Sequence, residues 1–248
     1  MIRLDGQRVV ITGAGGGVGS ALTRAFTDAG AQVVACDLAS ADIPAQYEAH
    51  RFDLRDQAAV AKAAGDILTH GAVDVLVCNA GWTRAELLTD VTPAALTDEM
   101  DRNFTGAALL CQGLLPAMRA RGSGAIVFIS SVNALSHHGN PAYSAAKAAL
   151  LAWMRAIAVE EGKHGIRANA VIPASIRTNA WDHRLQADPA LLDRLAAMYP
   201  LGRIVTTEEV ANAVLFLASP LASGITGTSL TVDAGLMAGN LPFLAAIN

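Results

Sequence analysis

The sequence predicts an α/β protein in which one doubly wound parallel sheet carries helices on both faces. Short apolar runs of strand length alternate with longer amphipathic runs along the whole chain, which is typical of this class. No linker, repeat or low-complexity segment interrupts the alternation. The chain has 248 residues, of which 52% are hydrophobic and 16% charged, so it can bury one large core. We therefore expect a single domain over residues 1–248.

Composition and charge exclude several classes of function. The net charge is -4 and no basic block occurs, which argues against a nucleic-acid partner. No uninterrupted apolar run is long enough to span a bilayer, and the first residues run into a strand without room for a signal peptide. We therefore expect a cytoplasmic protein without a membrane partner. Cys36, Cys78 and Cys111 lie far apart in apolar runs, which is typical of core residues in a reducing compartment; we expect neither a disulfide nor a metal site.

The first strand, Arg8–Thr12, leads into a glycine-rich turn and then a helix at Ser20–Ala29. Glycine permits a tight turn and lets backbone N–H groups approach a pyrophosphate at the helix N-terminus. The GxGxxG pattern does not fit literally, because Val18 stands where its third glycine would be; the spacing is Thr-Gly-xxx-Gly-x-Gly over residues 12–19. In this strand–turn–helix context the loop favours nucleotide binding over a plain turn.

The second strand, Gln32–Asp37, ends in an acid. Asp37 lies where a carboxylate accepts hydrogen bonds from a ribose 2′-OH, and it would repel a 2′-phosphate. Neutral residues follow at 38–40. Asp37 therefore favours NAD over NADP, with an ordinary strand-end acid as the alternative.

The middle of the chain repeats the strand and helix alternation. Asn79, Ala80 and Gly81 follow the fourth strand, and such a small turn at a strand end is where a doubly wound sheet opens to its ligand. Asn103 interrupts a long helical run and has either a polar task or an exposed position. The expected elements are strands at 49–53, 73–78 and 124–131, and helices at 56–70 and 93–121.

The second half of the chain contains a long Ala-rich helix at Ala142–Gly162, which carries Tyr143 and Lys147. Their i, i+4 spacing places the two side chains on one face. A lysine cation beside the phenol lowers the tyrosine pKa, which would make Tyr143 a general acid/base for an alcohol or carbonyl oxygen. The alternative is a helix face that carries both residues by chance. Further strands are expected at 165–172 and 228–233, and helices at 190–198 and 207–219.

Taken in order, these motifs resemble the short-chain dehydrogenase/reductases over essentially the whole chain. The resemblance implies a single Rossmann-like domain, a nicotinamide cofactor, and a homotetramer or dimer. It also implies a catalytic set of Asn103, Ser131, Tyr143 and Lys147, with Ser130 as the rival for the serine role. The residues that carry the resemblance are Thr12, Gly13, Gly17, Gly19, Asp37, Asp53, Leu54, Asn79, Ala80, Gly81, Asn103, Ser131, Tyr143, Lys147, Pro173 and Thr178.

The resemblance also assigns residues to the cofactor. Asp53 and Leu54 would meet the adenine, and Ile176 and Thr178 the carboxamide of the nicotinamide. The family usually has Pro-Gly where this chain has Pro-Ala at 173–174, and the extra methyl argues against bulky substrates. The expected cofactor-binding residues are Gly13, Gly17, Val18, Gly19, Asp37, Asp53, Leu54, Asn79, Gly81, Tyr143, Lys147, Pro173, Ile176 and Thr178.

The expected substrate site is polar, with one or two aromatic plates, and includes a loop at about residues 174–200. This composition suits a small polar secondary alcohol or ketone, such as a sugar, a sugar alcohol or a related polyol, oxidised with NAD. The alternatives are a 3-oxoacyl-(acyl-carrier-protein) reductase, a dehydrogenase of a small hydroxy acid, and a non-enzymatic nucleotide sensor. The expected substrate residues are Ser131, Asn133, His137, His138, Tyr143 and Trp181, with Trp82, Arg84, Asn140, His183 and Arg184 nearby.

Overall fold

The computed structural model describes residues 2–83, 86–178, 186 and 188–247. A seven-stranded sheet runs through the middle of the molecule, and every neighbouring pair of strands is parallel. The strands are β1 (Arg8–Thr12), β2 (Gln32–Asp37), β3 (Glu48–Arg51), β4 (Val75–Cys78), β5 (Gly124–Ile129), β6 (Ile166–Pro173) and β7 (Ser229–Val232). Their order across the sheet is β3-β2-β1-β4-β5-β6-β7, which confirms the predicted fold class.

Helices cover both faces of the sheet. They are α1 (Gly17–Asp28), α2 (Gln57–Thr69), α3 (Pro93–Met100), α4 (Gly106–Arg121), α5 (Pro141–Glu161), α6 (Leu191–Ala196), α7 (Thr207–Ala218) and α8 (Leu241–Ile247). One apolar core lies between the sheet and α2, α4 and α5, and a second lies between the sheet and α1 and α7. Among the helices of the described ranges, none has the length and apolar character needed to cross a membrane.

The strand order reverses between β1 and β4, and this reversal positions the site. The chain builds outward from β1 to β3 on one side and then returns to the other side with β4. Thr12 at the end of β1 holds the two edges together, because its hydroxyl accepts hydrogen bonds from the backbone N–H groups of Asn79 and Ala80, each at 3.0 Å. A crevice therefore opens at the carboxyl ends of β1 and β4, where such sheets bind ligands.

Three elements differ from the sequence expectation. The predicted helix over 93–121 is broken by one wide π turn at Asp101–Thr105, which separates α3 from α4. The third strand is displaced toward the N-terminus and ends at Arg51; its last hydrogen bond to β2 runs from the N–H of Phe52 to the carbonyl of Asp37. The tail, for which no element was predicted, contains the short helix α8.

Candidate active site

One cavity of about 660 Å³ lies at the carboxyl ends of the strands. It begins at the glycine-rich turn after β1 and extends to the first turns of α5. Every residue that the sequence assigned to the cofactor lines this cavity: Gly13, Gly17, Val18, Gly19, Asp37, Asp53, Leu54, Asn79, Gly81, Tyr143, Lys147, Pro173, Ile176 and Thr178. The structure therefore brings together residues that lie up to 165 positions apart in the sequence, from Gly13 to Thr178.

The glycine-rich turn has no room for side chains on its cavity side. Gly13 has a left-handed φ of 66°, and a Cβ atom on it would lie 2.8 Å from the Cα of Ala80. A Cβ atom on Gly17 would lie 2.8 Å from Cγ2 of Thr178. The backbone of the turn is therefore bare beside the first turn of α1, and free N–H groups at a helix N-terminus bind phosphate. This cradle fits the pyrophosphate of a dinucleotide.

Asp37 closes one end of the cavity. Its carboxylate accepts hydrogen bonds from the backbone N–H of Gly15 at 2.8 Å and of Leu38 at 2.7 Å. Arg51 lies opposite Asp37 in the β2–β3 ladder, and its guanidinium donates to the carbonyl oxygens of Leu38, Ala39 and Ala41. Because the guanidinium of Arg51 donates to backbone carbonyls and not to Asp37, the carboxylate of Asp37 provides a negative charge beside the glycine-rich turn.

Asp53 and Leu54 form the neighbouring wall, after the end of β3. Arg55 donates hydrogen bonds to the carboxylate of Asp53, the shortest at 2.6 Å, and these hold the pKa of Asp53 below its usual value. The N-terminus of α4 packs closely on the same wall, since a Cβ atom on Gly106 would lie 2.3 Å from the carbonyl oxygen of Leu54.

Ser131, Tyr143 and Lys147 meet at the other end of the cavity. Lys147 is only 3% exposed, and its Nζ donates to the carbonyl oxygen of Ile129 at 2.9 Å. The same Nζ lies 5.6 Å from the centre of the Tyr143 ring. Ser131 follows the end of β5 and lines the cavity with Tyr143, where it lowers the pKa of the phenol; its hydroxyl donates to Asn133 Oδ1 at 3.3 Å. Ser130 instead donates to the carbonyl oxygen of Lys147 at 2.8 Å, and this contact occupies it within the fold.

The pKa values of the pair contradict one expectation. Burial raises the pKa of Tyr143 to about 12, although Ser131 works in the opposite direction. Burial also lowers the pKa of Lys147 to about 8. The expectation that Lys147 lowers the Tyr143 pKa toward neutrality is not met in the protein alone, because desolvation of the buried phenol is the largest influence and Lys147 is not among the groups that lower its pKa. A further positive charge in the cavity would lower the Tyr143 pKa.

Asn103 lies behind the cavity wall, in the π turn. Its side chain is 1% exposed and forms a two-way link with the backbone of Trp82: the Oδ1 atom accepts from the N–H at 3.1 Å, and Nδ2 donates to the carbonyl at 3.0 Å. Gly81 separates Asn103 from Lys147, since a Cβ atom at this position would lie 2.8 Å from Asn103 Oδ1 and 2.9 Å from Lys147 Nζ. Asn103 and Lys147 thus flank one glycine.

The residues expected at the substrate are only partly gathered. Ser131 and Tyr143 line the cavity, with Trp82, whereas Asn133, His137 and His138 are absent from its described lining. Asn133 donates to the carbonyl of Gly139 at 2.8 Å and to the hydroxyl of Ser144 at 3.2 Å, so it braces the loop before α5. His138 Nε2 lies 3.4 Å from the sulfur of Met237. The expected positions Arg84, Trp181, His183 and Arg184 lie outside the described residues. The substrate roles stay predictions.

Arg102 is a cavity residue that the sequence reasoning missed. Its guanidinium lies 5.2 Å from the centre of the Trp82 ring, in cation–π contact, and donates to Asp98 at 2.8 Å. Within the part of the chain that the structure describes, its Nε is one of two buried side-chain nitrogens without a hydrogen-bond partner. A solvated arginine on a helix has the same local sequence signal, so only the packing against Trp82 identifies it.

One group of side chains away from the cavity has metal-ligand spacing: Glu48, His50 and His70. The same carboxylate oxygen, Glu48 Oε1, already contacts Arg8 at 2.6 Å and His50 at 2.8 Å. Because the buried guanidinium of Arg8 lies where a cation would approach, we assign the group to an ion-pair network at the sheet edge.

Comparison with known proteins gives the family. A family model described as enoyl-(acyl carrier protein) reductase matches residues 13–237. The crystal structure of a short-chain dehydrogenase/reductase family oxidoreductase from Burkholderia thailandensis superposes with a TM-score of 0.89 at 38% identity, covering 98% of each chain. The chain belongs to the short-chain dehydrogenase/reductase family. It is therefore an oxidoreductase of a family that uses nicotinamide cofactors.

Two further members of the short-chain dehydrogenase/reductase family are similar over nearly the whole chain. The D-xylose 1-dehydrogenase of Caulobacter vibrioides is 36% identical over 245 residues, which covers 94% of this chain and 96% of that protein. A gluconate 5-dehydrogenase from Burkholderia cenocepacia J2315, solved in complex with NADP and tartrate, has a TM-score of 0.86 at 31% identity and covers 96% of this chain and 97% of its own.

Proposed function

We propose that the protein is an NAD-dependent dehydrogenase of a small polar secondary alcohol, with a sugar, sugar alcohol or related polyol as substrate. One observation carries this proposal: Ser131, Tyr143 and Lys147 converge at one end of a cavity whose other end holds the glycine-rich turn and Asp37. The same cavity is thus lined by a group that can exchange a proton and by a turn that can bind a dinucleotide. The nicotinamide would supply the acceptor for the hydride that leaves the alcohol carbon.

The chain's own residues would manage the proton. In alcohol oxidation, Tyr143 accepts the hydroxyl proton and Ser131 holds the same oxygen through its hydroxyl, which orients it. Lys147 contributes a positive charge beside the phenol, and we propose that it also holds the ribose hydroxyls of the cofactor. Asn103 would hold a water that links Lys147 to solvent, so that the proton taken up by Tyr143 can leave. Tyr143, whose pKa is about 12 in the protein alone, would titrate at a lower pH beside the positive charge that an oxidised nicotinamide supplies when bound.

The preference for NAD rests on Asp37. Its carboxylate lies beside the glycine-rich turn and accepts a hydrogen bond from the N–H of Gly15. A 2′-phosphate at this position would meet a like charge, whereas a 2′-hydroxyl would find an acceptor. The related gluconate 5-dehydrogenase was solved with NADP, so the proposed preference of this chain for NAD rests on Asp37 alone.

Substitution of Asp37 by serine tests this preference. We expect D37S to raise the affinity for NADP relative to NAD roughly 10-fold or more, because the repelling charge is removed. The measurement is the Kd of both reduced cofactors by fluorescence titration, with Asp42→Ser as the control in the adjacent loop. An unchanged NADP/NAD ratio would show that Asp37 does not contact the ribose.

The substrate class rests on the size and polarity of the site. Ala174 follows β6 and lines the cavity with Ile176, and we propose that its methyl narrows the space for the substrate. Trp82 and the hydroxyls of Thr83 and Ser131 offer an aromatic plate and hydrogen-bonding groups, as sugars require. The names of the relatives, D-xylose 1-dehydrogenase and gluconate 5-dehydrogenase, support a sugar or a small hydroxy acid. The description of the family model, enoyl-(acyl carrier protein) reductase, names a different reaction, so of the 3-oxoacyl reductase alternative it supports the acyl-carrier-protein substrate and not the carbonyl reduction.

Nicotinamide absorbance at mildly alkaline pH tests the proposed reaction. NAD and NADP are supplied separately with a panel of aldoses, polyols, hydroxy acids and a 3-hydroxyacyl thioester. NAD-dependent oxidation of a sugar or polyol would support the proposal. Turnover of the thioester alone, with NADP, would favour the acyl reductase. Cofactor binding without turnover of any alcohol would favour a nucleotide sensor.

We further propose a cytoplasmic homotetramer, or a dimer, in which each chain is one domain. The short helix α8 exposes Phe243, Leu244 and Ile247, and α5 exposes Val159. Burial of such residues between subunits would remove apolar surface from water. Light scattering after size-exclusion chromatography measures the assembly, and a monomer at micromolar concentration would contradict it.

A further inference from the structure

Glu99 is a buried carboxylate beside the proposed proton path. It lies on α3, is 5% exposed, and neither lines the cavity nor forms an ion pair among the described residues. Its Oε2 accepts a hydrogen bond from Asn103 Nδ2 at 2.6 Å, and its Oε1 accepts one from the hydroxyl of Thr83 at 3.2 Å. Burial of a carboxylate lowers the stability of a fold unless its charge is compensated. The position of Glu99 beside Asn103 therefore suggests a role in the site.

Glu99 and the backbone of Trp82 together fix the orientation of Asn103. Nδ2 of Asn103 donates to the side chain of Glu99 and to its backbone carbonyl, at 2.6 and 3.1 Å. Because the amide nitrogen faces Glu99, the Oδ1 atom faces Gly81, on whose other side Lys147 lies. An acceptor on that side is what a protonated lysine, or a water bound to it, needs. With an apolar residue at position 99, Nδ2 of Asn103 would lose its shortest hydrogen bond, and only the Trp82 backbone and the carbonyl of residue 99 would hold the amide.

We propose that Glu99 is a positioning residue of this site, which orients Asn103 and supplies a fixed negative charge that keeps Lys147 protonated. The inference rests on the proposed function of Asn103 and Lys147. It assigns no contact between Glu99 and the substrate or cofactor. Glu99 acts through Asn103, and through its field across the packed elements α3 and α5.

The electrostatic surroundings agree in direction. The charge of Glu99 raises the pKa of Lys147 against the larger effect of burial, and it also raises the pKa of Tyr143. The pKa of Glu99 is itself raised, first by burial and further by the charges of Asp98 and Glu86, while the hydrogen bond from Thr83 and the charge of Arg102 lower it. These are the charged groups that face Glu99 from α3, the π turn and the loop after β4.

The test measures the titration of Lys147 directly, without cofactor or substrate. The chain contains only three lysines, Lys62, Lys147 and Lys163, so 13C labelling of lysine gives a spectrum that lysine variants can assign. In wild type we expect Lys147 to titrate at about 8. In Glu99→Gln we expect a midpoint lower by on the order of half to one pH unit, because the compensating charge is gone while the shape of the side chain is kept.

Two variants serve as matched controls. Asp98→Asn removes the neighbouring carboxylate, which points outward to Arg55 and Arg102, and its Lys147 midpoint should stay at the wild-type value. Glu99→Asp keeps the charge and should lie near wild type, whereas Glu99→Met should shift in the same direction as the glutamine variant. The rate profile of Glu99→Gln should move toward lower pH by a similar amount.

An unchanged Lys147 midpoint in both Glu99→Gln and Glu99→Met would overturn the inference, and so would an equal shift in Asp98→Asn. Because the titration uses the protein alone, its result is separate from the question of substrate. If wild type oxidised no alcohol in the panel while Glu99→Gln still shifted Lys147, the proposed function would fail and the electrostatic role of Glu99 would stand.

Discussion

At the scale of single residues, the site contains two neighbouring groups whose pKa values burial shifts in opposite directions. In each of them burial stabilises the neutral form. Tyr143 is held protonated and Lys147 is brought close to neutrality. Such opposed shifts are frequent where proton transfer occurs. A positive charge that arrives with the oxidised cofactor would favour the phenolate, so the acid/base becomes active only once the cavity is filled.

Tyr143→Phe removes the hydroxyl and leaves the ring. We expect turnover to fall roughly 10²- to 10⁴-fold, because no other described hydroxyl in the cavity occupies the position of the Tyr143 phenol. The Kd of the cofactor should stay near wild type, since the phenol contributes chemistry rather than most of the binding surface. Steady-state rates and fluorescence titration measure both quantities, and retained activity would contradict the assignment.

At the scale of elements, the site depends on how closely the turn after β4 packs between α5 and the π turn. Gly81 allows this approach, because any side chain there would lie within 3 Å of Asn103 and Lys147. The π turn, Asp101–Thr105, inserts an extra residue per turn and directs Asn103 inward. The glycine at position 81 and the π turn thus bring the side chains of Asn103 and Lys147 to the end of the same strand, β4.

Gly81→Ala should separate these elements. The added methyl would lie 2.8 Å from Asn103 Oδ1 and 2.9 Å from Lys147 Nζ, so we expect a loss of turnover of roughly 10-fold or more with little change in fold. Gly65→Ala is the matched control, because a Cβ atom on that helical glycine meets nothing within 4 Å. The control should retain activity and gain about 0.4–1 kcal/mol in stability; equal activity of the two variants would contradict the packing argument.

The sequence predicts these elements unevenly, and packing explains why. The proximity of Tyr143 and Lys147 was predictable because helical spacing alone places them together, whereas Ser131 was expected only through the family resemblance, with Ser130 as its rival. Glu99 was not, since a glutamate in a helical run has the signal of a solvated residue until Thr83 and Asn103 enclose it. The π turn was missed for a similar reason: no glycine or proline interrupts residues 94–105, so local propensity favours a continuous helix.

At the scale of the whole molecule, the burial of Lys147 in the wall of the crevice lowers the free energy of unfolding near neutral pH. Lys147 is 3% exposed, and its pKa falls from 10.5 in water to about 8 when the chain folds. Below pH 8 the folded protein has to hold a buried charge. Between pH 8 and 10.5 the unfolded chain binds a proton that the folded chain does not, so this contribution to stability rises with pH across that window.

Lys147→Met tests this balance. At pH 7 the shift in pKa corresponds to about 3 kcal/mol of unfavourable burial, so we expect the variant to unfold at a higher temperature than wild type while turnover is lost. The gain should shrink as the pH approaches 10.5. Thermal unfolding from pH 6 to 10 measures it, with the exposed Lys163→Met as the control. A lower melting temperature at pH 7 would contradict the prediction.

The burial of all three cysteines has a practical consequence. Cys36, Cys78 and Cys111 are free and buried, and desolvation raises their pKa values, to about 12 for Cys36 and Cys111. Because thiolates are the reactive form, these thiols should resist maleimide and iodoacetamide at neutral pH. A single cysteine engineered at an exposed position would then take a fluorophore or spin label selectively. The natural chain is therefore ready for distance measurements across its crevice without first being made cysteine-free.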